Sequence, residues 1–202
     1  MRVLLLVLLV VSCGRNEADG DSISPPRLPD DTAREQNRFD SERRPEKVVE
    51  ALGIGPGSRV ADIGAGSGLL TVHLARAVRP NGRVTATDID GAVLDLLQSR
   101  LAAAGLEDVV DRRVVDAEHP GLEPGEYDAI LLAEVDHYIT DESGWLKEAT
   151  KALKPRGRIV ISNRIHHRAR SIAAATRAGL KVQTESNPIP SHFIAVFTAG
   201  GK

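Results

Sequence analysis

The run Val60-Ala61-Asp62-Ile63-Gly64-Ala65-Gly66-Ser67-Gly68 constrains this chain more than any other segment. It reads as a buried strand that breaks into a glycine-rich turn and then into a helix. Alternate glycines let the backbone turn sharply and let a ligand approach without meeting a side chain. Asp62 stands at the strand end, where its carboxylate can point into the crevice above a sheet. A second acid, Asp88, ends the next apolar segment, Arg83-Val84-Thr85-Ala86-Thr87-Asp88. That separation, about twenty residues, is the one at which a carboxylate reaches a ribose hydroxyl. The pair points to a nucleoside ligand.

The glycines fall as Gly64-x-Gly66-x-Gly68, which departs from the dinucleotide pattern G-x-G-x-x-G. A dinucleotide also needs a helix N-terminus bare enough to hold a pyrophosphate. Asp62 would set negative charge beside that phosphate, and it suits the ammonium of an amino-acid group better.

Apolar periodicity predicts the remaining elements. Pro45 opens a short amphipathic helix through Leu52, and Gly55-Pro56-Gly57 is a turn. Strands are expected over 59–63, 83–87, 112–115, 127–133 and 157–162. Helices are expected over about 67–78, from Val93 through Leu101 to Gly105, from Trp145 through Leu153 to the stop at Pro155, and over 169–178. Segments 180–185 and 192–198 read as a closing antiparallel pair around Asn187-Pro188-Ile189-Pro190. Strand–helix alternation of this kind implies an α/β fold, Rossmann-like and doubly wound, with a mostly parallel seven-stranded sheet and an antiparallel closing strand pair. Ligands in such sheets bind at the carboxyl ends of the strands. Asp62, Asp88 and the glycine turn all fall at such ends.

Three strings, VADIGAGSG, TATDID and LKPRGRIVI, together resemble the class I S-adenosylmethionine-dependent methyltransferases. The resemblance spans roughly residues 44–198, and the closing segment IPSHFIAVF extends it. It implies S-adenosylmethionine as cofactor and methyl transfer to a small, unidentified acceptor. It implies that Asp62 neighbours the amino-acid moiety, with Gly64, Ala65, Gly66 and Gly68 forming the loop against the cofactor. Asp88 would hold the ribose hydroxyls, Ile89 would pack on the adenine face, and Asp116, followed by Ala117, would accept from the adenine amino group. Asp90 competes with Asp88 for attention, but it suits a helix cap. The end of the fourth strand, Ala133-Glu134-Val135-Asp136-His137-Tyr138, would face the methyl group and the acceptor. His137 is the candidate base, with Asp136 or Glu134 to orient it or balance charge, and Glu134 is also a candidate cofactor contact. The plainer alternative is that Asp136 and His137 begin a loop and Tyr138 packs.

Other chemistries fit poorly. The chain lacks the Asn-Pro-Pro-aromatic run of enzymes that methylate base amino groups, and its single cysteine, Cys13, lies outside the domain. With 3% aromatic residues and a formal charge of −2, nothing marks a nucleic-acid surface. No metal-ligand spacing is found; His166 and His167 are expected on different sides of a helix. Arg164, Arg168, Arg170 and Arg177 make that last helix basic. They read as a solvated face, with lipid phosphates or an anionic acceptor as the alternative. Ser41, Arg43 and Arg44 are candidates to line the acceptor pocket. A nicotinamide oxidoreductase is the third, weaker reading.

The N-terminus makes a separate statement. Arg2 precedes an apolar run from Val3 to Val11 that is too short for a permanent span and fits a signal-peptide core. Val10-Val11-Ser12-Cys13 resembles the lipobox of bacterial lipoproteins; an ordinary secretory signal is the alternative. The organisation expected is a signal peptide over 1–12, a disordered tether over 13–38 lipidated at Cys13, and one domain over 39–202. That places the domain at the membrane of the bacterial cell envelope, or in the cytoplasm if the signal goes unused. Such an address conflicts with a cofactor made in the cytoplasm, so a tethered binding module without turnover stands as the second reading.

Overall fold

The computed structural model describes residues 29–199. The signal peptide, Cys13 and the first part of the expected tether lie outside them. Six helices and seven strands follow in chain order: α1 (Pro29–Arg43), α2 (Pro45–Leu52), β1 (Arg59–Ile63), α3 (Thr71–Val78), β2 (Arg83–Asp88), α4 (Gly91–Ala104), β3 (Val110–Val114), β4 (Tyr127–Ala133), α5 (Glu142–Thr150), β5 (Leu153–Arg164), α6 (Arg168–Arg177), β6 (Leu180–Ile189) and β7 (His192–Ala199).

The strands form one sheet in the order β3-β2-β1-β4-β5-β7-β6. The first five are parallel, and β7 runs antiparallel to both β5 and β6. This is the expected fold class. Successive strand residues face opposite sides, so each central strand feeds two cores. Val60, Val84, Ala86, Leu131 and Val160 meet α2, α3 and α4 on one face. Ala61, Ile63, Ile130, Leu132, Ile159 and Ile161 meet α5 and α6 on the other. Burial on both faces is why these strands read as unbroken apolar runs.

Four expectations need correction. Residues 29–38 are not part of a disordered tether: they are most of α1. Helix α3 begins at Thr71 rather than Ser67, because Gly66 and Gly68 have φ of 56° and 86°, which a right-handed helix cannot contain. Leu153 belongs to β5, not to the end of α5. Strand β6 runs on to Ile189, through Pro188. It is the edge strand, where a missing N–H costs no ladder bond. No helix among the described residues is long and apolar enough to cross a membrane.

Candidate cofactor and acceptor site

Strand order reverses between β1 and β4, and the chain leaves these strands in opposite directions. A crevice opens above their carboxyl ends. Two cavities occupy it. The larger, about 470 Å³, is bordered by Gly64, Asp88, Ile89, Asp116, Ala117, Glu134, Val135 and Tyr138, with Trp145 behind. The smaller, about 180 Å³, is bordered by Phe39, Arg43, Asp62, Gly64, Ala65, Gly66 and Glu134. Gly64 and Glu134 border both.

The turn after β1 is built by its glycines. Gly64 has φ 66°, and a Cβ there would lie 2.6 Å from the Val135 side chain. Gly66 also has positive φ, but the space over its Cα is open. Its N–H donates to Asp88 Oδ2 at 2.9 Å. The turn and the second acid are thus tied together, 22 residues apart in sequence. Asp88 Oδ1 accepts from the Asp90 N–H at 3.1 Å, and each carboxylate oxygen keeps a further lone pair. Asp90 caps α4 by accepting from the Ala92 N–H. The two neighbouring acids therefore divide as expected, one bordering the cavity and one capping the helix. Gly68 does not border either cavity; it sits behind the turn, packed against Leu97.

Ile89 is 65% exposed and offers an apolar face. Asp116 accepts from the Glu118 N–H at 2.8 Å and stays solvent-accessible. Asp62 does not stand open in the crevice: it is 2% exposed and accepts from Thr71 Oγ1 at 2.7 Å. Burial, joined by the charge of Asp88, pushes its carboxyl up to about 6 against the bond from Thr71. Thr87 Oγ1 is buried with no hydrogen-bond partner among the described residues, and Thr87 borders the larger cavity's floor, near Asp88.

The end of β4 differs most from expectation. Asp136 is fully buried, accepting from Asn163 Nδ2 at 2.6 Å and from Ser171 Oγ. It anchors β4 to β5 and α6 and cannot reach a substrate. Nearby Glu142 is pushed up to about 7 by burial and by the charge of Asp136. His137 borders neither cavity. Its Nδ1 meets Asn163 Nδ2 at 2.9 Å, and its ring stacks on His167, centroids 4.2 Å apart. His166 and His167 are not on opposite sides of a helix: they share a 3₁₀ turn with rings 4.1 Å apart. Among the described residues no group of three or more His, Cys, Asp or Glu could hold a metal ion.

Glu134 is the residue left facing the crevice. Its φ is 55°, in the left-handed region, which costs a non-glycine residue about 1 kcal/mol or more. Its N–H donates to Ser162 O at 2.8 Å. Its carboxylate accepts from Arg43 Nη2 and faces Arg164 Nε and His192 Nε2, each at 3.4 Å. Burial alone would raise the Glu134 carboxyl, but Arg43, His192 and Arg164 outweigh it and hold it below the ordinary value. Of the other residues proposed for the acceptor pocket, Arg44 pairs with Glu46 and Ser41 donates to its own helix. Phe39 and His192 were not singled out for this site; Val135 and Tyr138 lie in the segment expected to face the acceptor, and Arg164, expected on the last helix, instead ends β5. Only the IPSHFIAVF segment carried a hint of His192.

The donor set fits a nucleoside joined to an amino acid. Asp88 and Asp116 can accept from hydroxyl and amino groups, Ile89 and Val135 supply apolar walls, and Asp62 offers a charge to an ammonium. Comparisons with known proteins agree. Residues 61–159 match the family model described as a methyltransferase domain. Over 114 residues the chain is 32% identical to the ubiquinone/menaquinone biosynthesis C-methyltransferase UbiE of Ectopseudomonas mendocina, covering 56% of this chain and 44% of the relative. The same protein of Teredinibacter turnerae is also 32% identical, over 56% of this chain and 46% of that one. The chain thus spans less than half the length of these relatives. A SAM-dependent methyltransferase from Aquifex aeolicus superposes with TM-score 0.74 at 19% identity, over 85% of this chain and 98% of that one. Geranyl diphosphate C-methyltransferase from Streptomyces coelicolor, solved with S-adenosyl-L-homocysteine, gives 0.67 at 17% identity, over 89% and 87%. These two likenesses bear on the fold. Residues 61–159 thus resemble a methyltransferase domain, and the fold is the one seen in the S-adenosylmethionine-dependent methyltransferase of Aquifex aeolicus.

Proposed function

We propose that this chain transfers a methyl group from S-adenosylmethionine to a small-molecule acceptor. The observation that carries the reading is the bond between the Gly66 N–H and Asp88 at the meeting of two cavities. It fixes the glycine turn and the ribose-type acid in one frame. The two relatives and the Streptomyces coelicolor neighbour named above are C-methyltransferases, and geranyl diphosphate is a small molecule.

When bound, the cofactor supplies a methyl carbon made electrophilic by a sulfonium. The protein's task is alignment and exclusion of water. Asp88 would hold the ribose hydroxyls, Ile89 the adenine face and Asp116 the adenine amino group. Gly64, Ala65 and Gly66 would present backbone to the amino-acid end, with Asp62 beneath its ammonium. Glu134 would flank the reacting centre. Calorimetry on the full chain with S-adenosylmethionine tests this. Binding is expected, and Asp88→Ala should weaken it about tenfold or more, the loss of a charge-assisted hydrogen bond. Unchanged affinity in the variant would remove Asp88 from the site.

The lipobox-like Val10–Cys13 favours a second reading, a membrane-tethered module that binds the nucleoside without turnover. Release of S-adenosylhomocysteine during incubation with small-molecule extracts separates the two. We place the chain at the cell envelope through lipid on Cys13. Mass spectrometry of the native N-terminus tests that, and an unprocessed Met1 would refute it.

A further inference from the structure

Gly64 and Glu134 border both cavities, so they mark the junction where the middle of a molecule spanning the two would lie. On the cofactor reading above, this is where an acceptor must arrive. The groups gathered there are unequal in charge. One carboxylate, Glu134, faces two guanidinium groups, Arg43 and Arg164. Burial and the nearby Arg43 charge lower the basicity of His192. The adjacent arginines are matched elsewhere, Arg168 by Glu185 and Arg170 by Glu142. Arg164 holds Glu134 at only 3.4 Å, and its side chain is 63% exposed. Around Glu134 itself the two guanidinium groups therefore outnumber the carboxylate by one, and the Arg164 side chain is free to turn.

Two further observations point to a ligand. His192 is 8% exposed, and its Nε2 is buried without a hydrogen bond, 3.4 Å from Glu134 Oε1. Buried polar atoms are nearly always satisfied, and an oxygen seated beside Glu134 would meet this one. Tyr138 borders the larger cavity yet is 75% exposed. Its ring lies against His137, which in turn stacks on His167. Backed in this way, it presents an exposed aromatic surface at the mouth of the site.

We propose that Arg43, Arg164 and His192 around Glu134 form the acceptor site, and that it takes a small aromatic acid as its anion. The guanidinium of Arg164 would turn from Glu134 to the acceptor's oxygens, for which its planar fork is suited. The ring would lie against Tyr138. An acid that enters as its anion needs no base. The oxygen's electron pair forms the new O–C bond, the pair of the broken C–S bond stays on sulfur, and no proton changes hands.

Benzoate, benzamide and benzylammonium are the probes, titrated into the full chain with and without saturating S-adenosylhomocysteine. Benzoate should bind at least about tenfold more tightly than either analogue, the worth of one charge-assisted contact. Arg164→Met should abolish that preference. Arg177→Met, at the end of α6 rather than on β5 with Arg164, should retain it and so controls for general loss of positive charge. Equal binding of the three probes, or a preference that survives Arg164→Met, would overturn the proposal. Failure of S-adenosylhomocysteine to bind would instead overturn the cofactor reading, and the two results are read separately in the same titrations.

Discussion

Asp62 is a charge kept beneath the Gly64–Gly66 turn with one hydroxyl for company. Its carboxyl rises from an ordinary 3.8 to about 6. The folded protein therefore holds a proton that the unfolded chain releases between those values, and stability falls as pH rises across that window. Above it the native state is about 3 kcal/mol worse off than with a neutral group. A ligand ammonium would remove that penalty, so burial here favours a cationic partner over water. Asp62→Asn should stabilise the free protein by about 1–3 kcal/mol at pH 8 and by almost nothing at pH 4. The same variant should weaken S-adenosylmethionine binding at pH 8. Urea titrations at the two pH values and calorimetry read both effects; a variant less stable at pH 8 would contradict the account. At this scale, adjacent positions were legible in the sequence. Asp88 and Asp90 sort themselves because a cap and a ribose ligand sit at different offsets from a helix start. The partners of Glu134 were not, since Arg43 lies 91 residues away and only the fold brings it there.

Among the elements, α1 is the one that sequence reading missed. Its fifteen residues contain a single large apolar side chain, Phe39, so no apolar stripe announces a helix. It is held by polar contacts instead. Arg34–Asp31, Arg38–Glu42 and Gln36–Asp40 pair along its surface, each worth about 0.2–0.5 kcal/mol. Gln36 donates to Leu69 O at 3.1 Å, and Asp40 pairs with His73 at 2.8 Å. Arg100 on α4 is the main tie: buried, it donates to Ser67 O at 2.8 Å, to Glu35 at 2.7 Å, and to Thr32 O and Gln36. One side chain thus joins α1 to the glycine turn. Helices α2 and α4 were legible because each turns an apolar face to the core, and the start of α3 was misplaced because glycine conformation is not written in periodicity. Arg100→Met should cost about 2–4 kcal/mol, since several carbonyls and Glu35 lose a donor at once. A lowered urea midpoint together with new proteolytic cleavage inside residues 31–43 is the expected result. An unchanged midpoint would mean that α1 is held by something else.

For the molecule as a whole, the division of labour between core and crevice sets what a ligand can change. The strand order and the two buried layers were legible from alternation and continuous apolar runs, because area buried on a sheet depends on local pattern. The closure of the crevice was not, because it depends on α1, which contributes no residue to either buried core. Segments held by polar contacts without a buried apolar face open at lower free energy than the core. Helix α1 should therefore exchange its amide protons well before β1, β4 and β5 do. Arg43 reaches from its end to Glu134, and Phe39 borders the smaller cavity, so a molecule filling that cavity would seal α1 against the turn. At a hundredfold excess over Kd, S-adenosylhomocysteine should stabilise the fold by about 2.7 kcal/mol, a rise in Tm of about 5–10 °C for a chain of this size. The added protection in hydrogen exchange should concentrate in residues 31–43 and 64–70 and spare the outer pair β6 and β7. Protection spread evenly over the sheet, with α1 unchanged, would show that the crevice fills without this helix and that its contacts to the glycine turn are structural alone.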